Sequence, residues 1–331
     1  MKKIKTLIFC FFIFHSSNVF SENNFDTWLR DFSQKARSEG ISDETIEKVL
    51  RSAQYLPQVI KYDRYQPEFY EDTKTYINKR VNKKKINRGT VLYKKNKQII
   101  DEIEDVFMVE KELLLSLMGI ETNYGNYLGK MDIISSLATL SFDKRRSDFF
   151  SRELITILKL VDINLIDYKI LFGSWAGAFG NFQFMPSTIS NYAIDYDKNQ
   201  IIELKSIDDS FASAANYINK IGWKKNQPCF KSVNLKKNIP LKFLNTSARK
   251  LKYKKKLKNF KKYIDNYDDY IKYSNLKIAI ITPDKDIVNN ADTLSPAFIV
   301  FDNYELILKW NRSLRFALAV CSLKEDFKNE L

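Results

Sequence analysis

Histidine is almost missing from this chain, which has one in 331 residues, His15. It lies in a basic-then-apolar N-terminal stretch that reads as a removable leader, so the exported protein is expected to hold no imidazole. That excludes Ser-His-Asp and Cys-His catalysis and any histidine-ligated zinc, and it leaves carboxylates as the favoured acid–base groups. Cysteine is nearly as scarce. Cys10 falls in the same leader, which leaves Cys229 and Cys321. In an oxidising compartment these two either pair or serve as ordinary apolar residues, and the sequence leaves both open. No later run approaches the ~20 apolar residues that cross a bilayer. Glycine is sparse too, yet six of the nine fall between Gly119 and Gly180.

The leader has Lys2, Lys3 and Lys5, an apolar core from Leu7 to Phe14, and Val19-Phe20-Ser21 near a cleavage point. Residues 1–21 are therefore expected to be a signal peptide, with a mature start near Glu22. Cys10 has too little apolar sequence ahead of it for a lipoprotein site. Export as a soluble protein is expected, with lipid anchoring as the alternative. The net charge of +14 falls to +11 once the three leader lysines are removed. Lys83-Lys84-Lys85 with Arg88 holds part of that charge. Its simplest reading is a solvated face. Nucleic-acid binding is disfavoured in an exported chain without a base-reading motif, whereas a positive surface would hold the protein near a carboxylate-bearing polymer.

The glycine-rich stretch opens LLLSLMGIETNYGNYLGK (113–130) and closes GSWAGAFGNFQFMPST (173–188). Leu114, Leu117 and Met118 precede Glu121 by seven, four and three residues, so they share its face of a helix. Desolvation there favours the protonated carboxyl, the condition a general acid needs near neutral pH. The ordinary alternative is a glutamate at the helix edge, snorkelling outward or paired with a lysine. The company it keeps favours the functional reading: Thr122, Asn123, Tyr124 and Gly125, then a second glycine-rich segment with the amide Gln183. Asp132, Asp143 and Asp148 lie in more polar surroundings. Pro186 followed by Ser187 and Thr188 reads as a helix start.

GIETNYG (119–125), LATLSFDKRR (137–146), GSWAGAFGNFQFMPST and ANYINKIGW (215–223) come in an order and spacing similar to the membrane-bound lytic murein transglycosylase B family (glycoside hydrolase family 103). GIS at 40–42 and QPEF at 66–69 fit as well, and the resemblance runs from about Phe25 to about Leu323. It implies an α+β, mainly α fold: a lysozyme-like helical core with additional N-terminal helices (22–105, then the core at 106–227). It implies cleavage of peptidoglycan glycan strands in the periplasm or cell envelope, with Glu121 acting as acid and then base. Ser174, Gln183 and Tyr217 match active-site residues of the family, and Asn311, in Asn311-Arg312-Ser313, a cleft contact. Tyr124, Phe182 and Phe184 are further aromatics for sugar faces, or simply core. Gln183 can donate and accept, which suits it to an acetamido group or to the acid itself; the alternative is that it satisfies loop backbone groups. Phe142 is core or subsite wall. No cofactor is required for the chemistry, a monomer is expected, and partnership with other cell-wall enzymes is left open. Rival readings are a hydrolytic muramidase and a non-catalytic peptidoglycan-binding protein.

Asp195, Asp197 and Asn199 place oxygens at alternating positions, like the opening of an EF-hand loop. Gln200 stands where the turn glycine belongs and Ser206 where the closing glutamate belongs. The family's longer EF-hand-like loop would carry the ligand set onto Asp195, Asp197, Asn199, the Ile201 carbonyl and Asp209. A structural Ca2+ fits the donors and the two departures speak against it, so the sequence leaves it open.

From Pro228 the character changes. Nine of the fourteen residues from Arg249 to Lys262 are basic, read here as a solvent-facing helix. IAIITP (278–283) and AFIVFDNYELILKW (297–310) read as strands from their β-branched and aromatic content. A smaller mixed α/β subdomain (228–331), closed by a helix over Leu314–Leu323, is the expectation.

Overall fold

A computed structural model of the chain describes residues 16–65, 71–285 and 287–331, with side chains from Asn24 onward. Most of the expected signal peptide and the QPEF segment lie outside the described residues. Six helices come first: α1 (Ser16–Ser38), α2 (Asp43–Lys48), α3 (Pro57–Arg64), α4 (Thr73–Arg80), α5 (Lys83–Lys95) and α6 (Lys97–Phe107). The middle of the chain holds α7 (Lys111–Thr122), β1 (Met131–Asp132), α8 (Ile133–Phe142), α9 (Ser147–Asp162), β2 (Phe172–Gly173), α10 (Pro186–Tyr192) and α11 (Ile207–Lys220). Five short strands follow, β3 (Phe230–Ser232), β4 (Leu244–Asn245), β5 (Lys255–Lys256), β6 (Lys277–Ile281) and β7 (Phe298–Val300), then α12 (Asp302–Trp310) and α13 (Leu314–Lys328).

Helix α7 is the pivot. Leu113 to Gly119 are buried on every side, the pattern of a helix threaded through a core rather than laid on it. It packs against α13, α5, α6 and α11. Its two ends reach the surface, Lys111 and Glu112 at one and Ile120 and Glu121 at the other, so the fold delivers Glu121 to the end of a buried apolar rod. Pro186 opens α10 as the sequence suggests, and the Ser42 side chain caps α2 by accepting from the Thr45 amide. Phe142 packs edge-on against Phe25 and Tyr55 and beside Trp28, which makes it core.

In the C-terminal sheet β7 lies between β3 and β6, antiparallel to both, and β6 runs parallel to β4 and antiparallel to β5. Alternation divides its two faces. Ala279, Ile281, Phe298 and Val300 join the main hydrophobic cluster, which draws on residues from Phe25 to Phe327. Ile278, Ile280 and Ile299 join a second cluster confined to residues 233–301. The closing helix α13 belongs to the main cluster. Cys229 and Cys321 form a disulfide, Cα atoms 6.1 Å apart, that ties the residue just before β3 to α13 across 92 residues.

Two expectations need correction. The segment 297–310 is strand only to Val300 and is helix from Asp302. Tyr304, Ile307 and Leu308 are buried at helical spacing, which overrides their β-prone composition. The basic segment holds no α-helix. Its one helical piece is a 3-10 turn, Leu257–Tyr263, with Leu257 and Phe260 buried in the second cluster.

Candidate active site

Glu121 is half-buried in the last turn of α7, above Leu117 and Met118, which are 0 % and 2 % exposed. Asn123 and Tyr124, with φ of 49° and 61°, break the helix in the left-handed region. The glycine-rich loop is fastened beneath this end. The Thr122 hydroxyl donates to the Asn181 carbonyl at 2.8 Å, and the buried Asn181 amide reaches Ser210 Oγ at 3.0 Å. A Cβ on Gly129, whose φ is +83°, would collide with the Gly173 carbonyl. The two halves of the glycine-rich stretch thus meet backbone to backbone, which only glycine permits.

Glu121 lines a cavity of about 340 Å³ with Lys79, Lys84, Lys85, Arg88 and Tyr127. Among the described residues no second carboxylate lines it. Asp132 caps α8 through the Ser135 amide at 2.6 Å, Asp143 pairs with Arg64 at 2.8 Å, and Asp148 is exposed. Sequence reasoning missed one residue that touches the acid. Trp310, the last residue of α12, donates its indole N–H to Glu121 Oε1 at 2.9 Å. Its ring stacks on Tyr217 at 5.1 Å, and Tyr217 stacks on Tyr192 at 4.4 Å.

The other site residues take several roles. The Ser174 hydroxyl accepts from the Ala178 amide at 2.9 Å and the Ala176 amide at 3.3 Å, closing its own turn. Gln183 has φ of 50° and donates to the Gly180 and Leu128 carbonyls at 2.9 and 3.3 Å. Its nitrogen therefore satisfies loop backbone, the alternative weighed above. Phe182 and Phe184 are 1 % and 3 % exposed, so they form the core under the Trp310 ring and offer no sugar-stacking face. The Tyr124 hydroxyl is buried and unpartnered, wedged against Gly89 of α5 and Gly119 of α7, and burial pushes its pKa well up. It spaces two helices. Asn311 caps the C-terminus of α12 next to Trp310, its amide donating to the Ile307 carbonyl at 3.0 Å.

Residues 24–325 match the transglycosylase SLT domain. The chain belongs to this family. A curated member, membrane-bound lytic murein transglycosylase B of Escherichia coli (strain K12), is 36% identical over 151 residues, 45% of this chain and 42% of that protein. The aligned region thus spans less than half of that relative. SltB3 from Pseudomonas aeruginosa, solved in complex with NAG-anhNAM-pentapeptide, superposes with a TM-score of 0.81 at 29% identity, covering 92% of this chain and 79% of that one. SltB1 from the same organism gives 0.78 at 23% identity over 92% and 99% of the two chains. The fold is the lysozyme-like, mainly helical α+β fold of these transglycosylases.

The acidic loop of this SLT-domain chain lies between α10 and α11. Asp195, Asp197 and Asp209 each bring one oxygen to within 4.8 Å of the others, an all-oxygen set suited to a hard cation. Asp209 is fully buried. Its Oδ1 accepts from the Tyr196 amide at 2.7 Å and its Oδ2 from the Glu203 amide at 2.8 Å, and each oxygen keeps a second lone pair. Asn199 Nδ2 donates to Asp197 and to Glu203 Oε2, at 3.0 and 3.3 Å. Gln200 takes the glycine's place at φ of 76°, a costly conformation for a side chain with a Cβ. Ser206 sits at the twelfth position because it is the cap of α11, accepting from the Asp209 amide. Asp209, three residues on, is the carboxylate that lies beside Asp195 and Asp197. Slt35 of Escherichia coli, solved in complex with calcium, shares the fold with a TM-score of 0.73 at 24% identity.

Proposed function

We propose that the protein is a lytic transglycosylase that cleaves the bond between MurNAc and GlcNAc in peptidoglycan and leaves 1,6-anhydroMurNAc ends. The observation that carries this is that Glu121, at the apolar end of α7 and held by an indole N–H, is the one carboxylate among the described residues that lines the cavity. Hydrolysis by two carboxylates needs a second one beside the scissile bond. In the proposed reaction the Glu121 proton passes to the glycosidic oxygen, releasing GlcNAc, while the substrate's acetamido group stabilises the oxocarbenium charge. The Glu121 carboxylate then takes the proton of the muramyl C6 hydroxyl, whose oxygen closes on C1. The carboxyl ends as it began and no water is consumed.

The indole N–H can only donate, so Oε1 is its acceptor through both steps. The complex of SltB3 with NAG-anhNAM-pentapeptide supports an anhydro product for a protein of this fold. A site in the cell envelope follows from the substrate, and partnership with other wall enzymes stays a proposal. Asp195, Asp197, Asn199, Ile201 and Asp209 would hold a structural Ca2+ that braces the start of α11, outside the chemistry. Digestion of purified peptidoglycan by the protein and by Glu121→Gln tests the reading. Muropeptides one water lighter than hydrolytic ones, absent with the variant, are expected. Hydrolytic masses would instead mark a muramidase, and binding without release a peptidoglycan-binding protein.

A further inference from the structure

Between Asp72 and Asp101 the sequence has ten basic residues and no acidic one. Most of the basic side chains flanking α5, Lys74 excepted, are paired. Lys79 and Arg80 both reach Glu71, and Lys97 and Lys111 both reach Asp101. On α5 itself the pattern stops. Among the described residues, Lys83, Lys84, Lys85, Arg88 and Lys95 have no carboxylate within ion-pair reach. Lys85 is half-buried, with its ammonium donating to the Gly119 carbonyl. Burial lowers its pKa to about 8, with the like charges of Arg80 and Arg88 adding to the effect. Cations crowded without counter-charge repel one another, and an anion brought among them relieves that repulsion.

The geometry says where such an anion would lie. Two hollows share Lys84 and Arg88. One is the Glu121 cavity. The other, of about 760 Å³, continues along α5 and includes Val91, Leu92 and Ile207. A ligand lying across both would meet two cations beside the acid and apolar surface beyond them. The glycan backbone is uncharged. The carboxylates of a peptidoglycan strand sit on the stem peptide, which hangs from the lactyl group of the same muramyl ring whose C1 reacts at Glu121.

We infer that the two hollows form a groove for the acidic stem peptide, with Lys84 and Arg88 holding its carboxylates and the Val91–Leu92 hollow its small apolar side chains. The inference rests on the transglycosylase reading for its occupant and adds a preference for strands that carry peptides.

The test compares kcat/KM on glycan strands bearing stems with that on the same strands stripped of peptide by an amidase, the lactyl carboxylates so freed being converted to amides, for the full exported chain and for Lys84→Gln/Arg88→Gln. The starting protein is expected to favour peptide-bearing strands by about tenfold, the worth of one charge-assisted hydrogen bond. In the double variant that ratio should fall toward one; because Lys84 and Arg88 also line the Glu121 cavity, the ratio between the two substrates is what is read, not the rate on either alone. Amidating the stem carboxylates should do the same to the unaltered protein. Equal kcat/KM on both substrates before substitution, or an equal loss on both after it, would overturn the inference. Calorimetric titration with the isolated stem tetrapeptide reads the groove even if no strand is cleaved. Binding weakened about tenfold in the double variant supports it, and no binding by the unaltered protein overturns it. A thermal melt matching that of the unaltered protein checks that the variant is folded.

Discussion

Trp310 and Glu121, 189 residues apart in the chain, meet through a 2.9 Å hydrogen bond from the indole N–H to Oε1. The contact joins the end of α12 to the end of α7, so the C-terminal part of the chain completes a site that the glycine-rich stretch begins. The indole is itself fixed by rings on two sides, Phe184 at 5.3 Å and Tyr217 at 5.1 Å. A carboxyl that must give a proton and then take one back benefits from an orientation held through both steps.

Replacing Trp310 with Phe keeps the stacking and deletes the donor. A hydrogen bond to a charged group contributes about 1.5–3 kcal/mol, so muropeptide release by Trp310→Phe is expected to slow by about 10- to 100-fold. The loss should fall mainly in kcat, with the unfolding midpoint little changed. A rate within twofold of the unaltered protein would mean that Trp310 is only packing.

Part of this site is legible in the sequence. Three apolar residues spaced seven, four and three before Glu121 fix its helix face, and the run of glycines marks where two backbones touch. Trp310 is hidden for two reasons. Its segment is β-prone in composition, and the helix emerges only from the burial of Tyr304, Ile307 and Leu308. The partner, moreover, lies on a distant stretch of chain, so no local spacing reports the contact. Gln183 shows the opposite limit. Its chemistry suits a substrate amide, yet its nitrogen is engaged by two loop carbonyls, and sequence cannot say which of several competent partners a side chain will face. The basic run on α5 is obvious as composition. Its lack of nearby carboxylates is visible only in three dimensions.

Calcium is expected to act on stability alone. Millimolar Ca2+ should raise the melting temperature and a chelator should lower it, because a ligand that binds only the folded state stabilises it by mass action. Asp195→Asn should abolish the calcium-dependent part while the anhydro product still forms. A melting temperature indifferent to calcium would leave Asp209 as a loop brace through the Tyr196 and Glu203 amides.

The Cys229–Cys321 bond closes a long loop between the connection that leads into β3 and the helix packed on α7. Restricting the unfolded chain in this way stabilises by about 2–5 kcal/mol. Cys321→Ser should lower the urea midpoint accordingly, and reductant should lower that of the unaltered protein but not that of the variant. Equal midpoints in all four conditions would show that the bond contributes nothing.

At the other end of α7, Glu110 and Lys324 are buried 3.0 Å apart, with Trp223 Nε1 and the Asn226 amide also donating to Glu110. Burial opposes the charge on Glu110, but Lys324 and the two N–H groups outweigh it and hold the carboxyl below its ordinary value of 4.5. On Lys324 burial is the larger influence and lowers its pKa, with Glu110 offsetting only part. We stand on the ion pair at neutral pH, since two further donors converge on the carboxylate. Glu110→Gln would leave the ammonium buried and unpaired, costing about 3–5 kcal/mol, and adding Lys324→Met should recover much of that. The pH dependence has a definite sign. A carboxyl held below its unfolded value gives stability that is complete above about 4.5 and drains as pH falls through the folded value. The gap in urea stability between the unaltered protein and Glu110→Gln should therefore be widest near pH 7 and close on acidification. A gap that stays constant down to pH 3 would mean that Glu110 contributes by shape and not by charge.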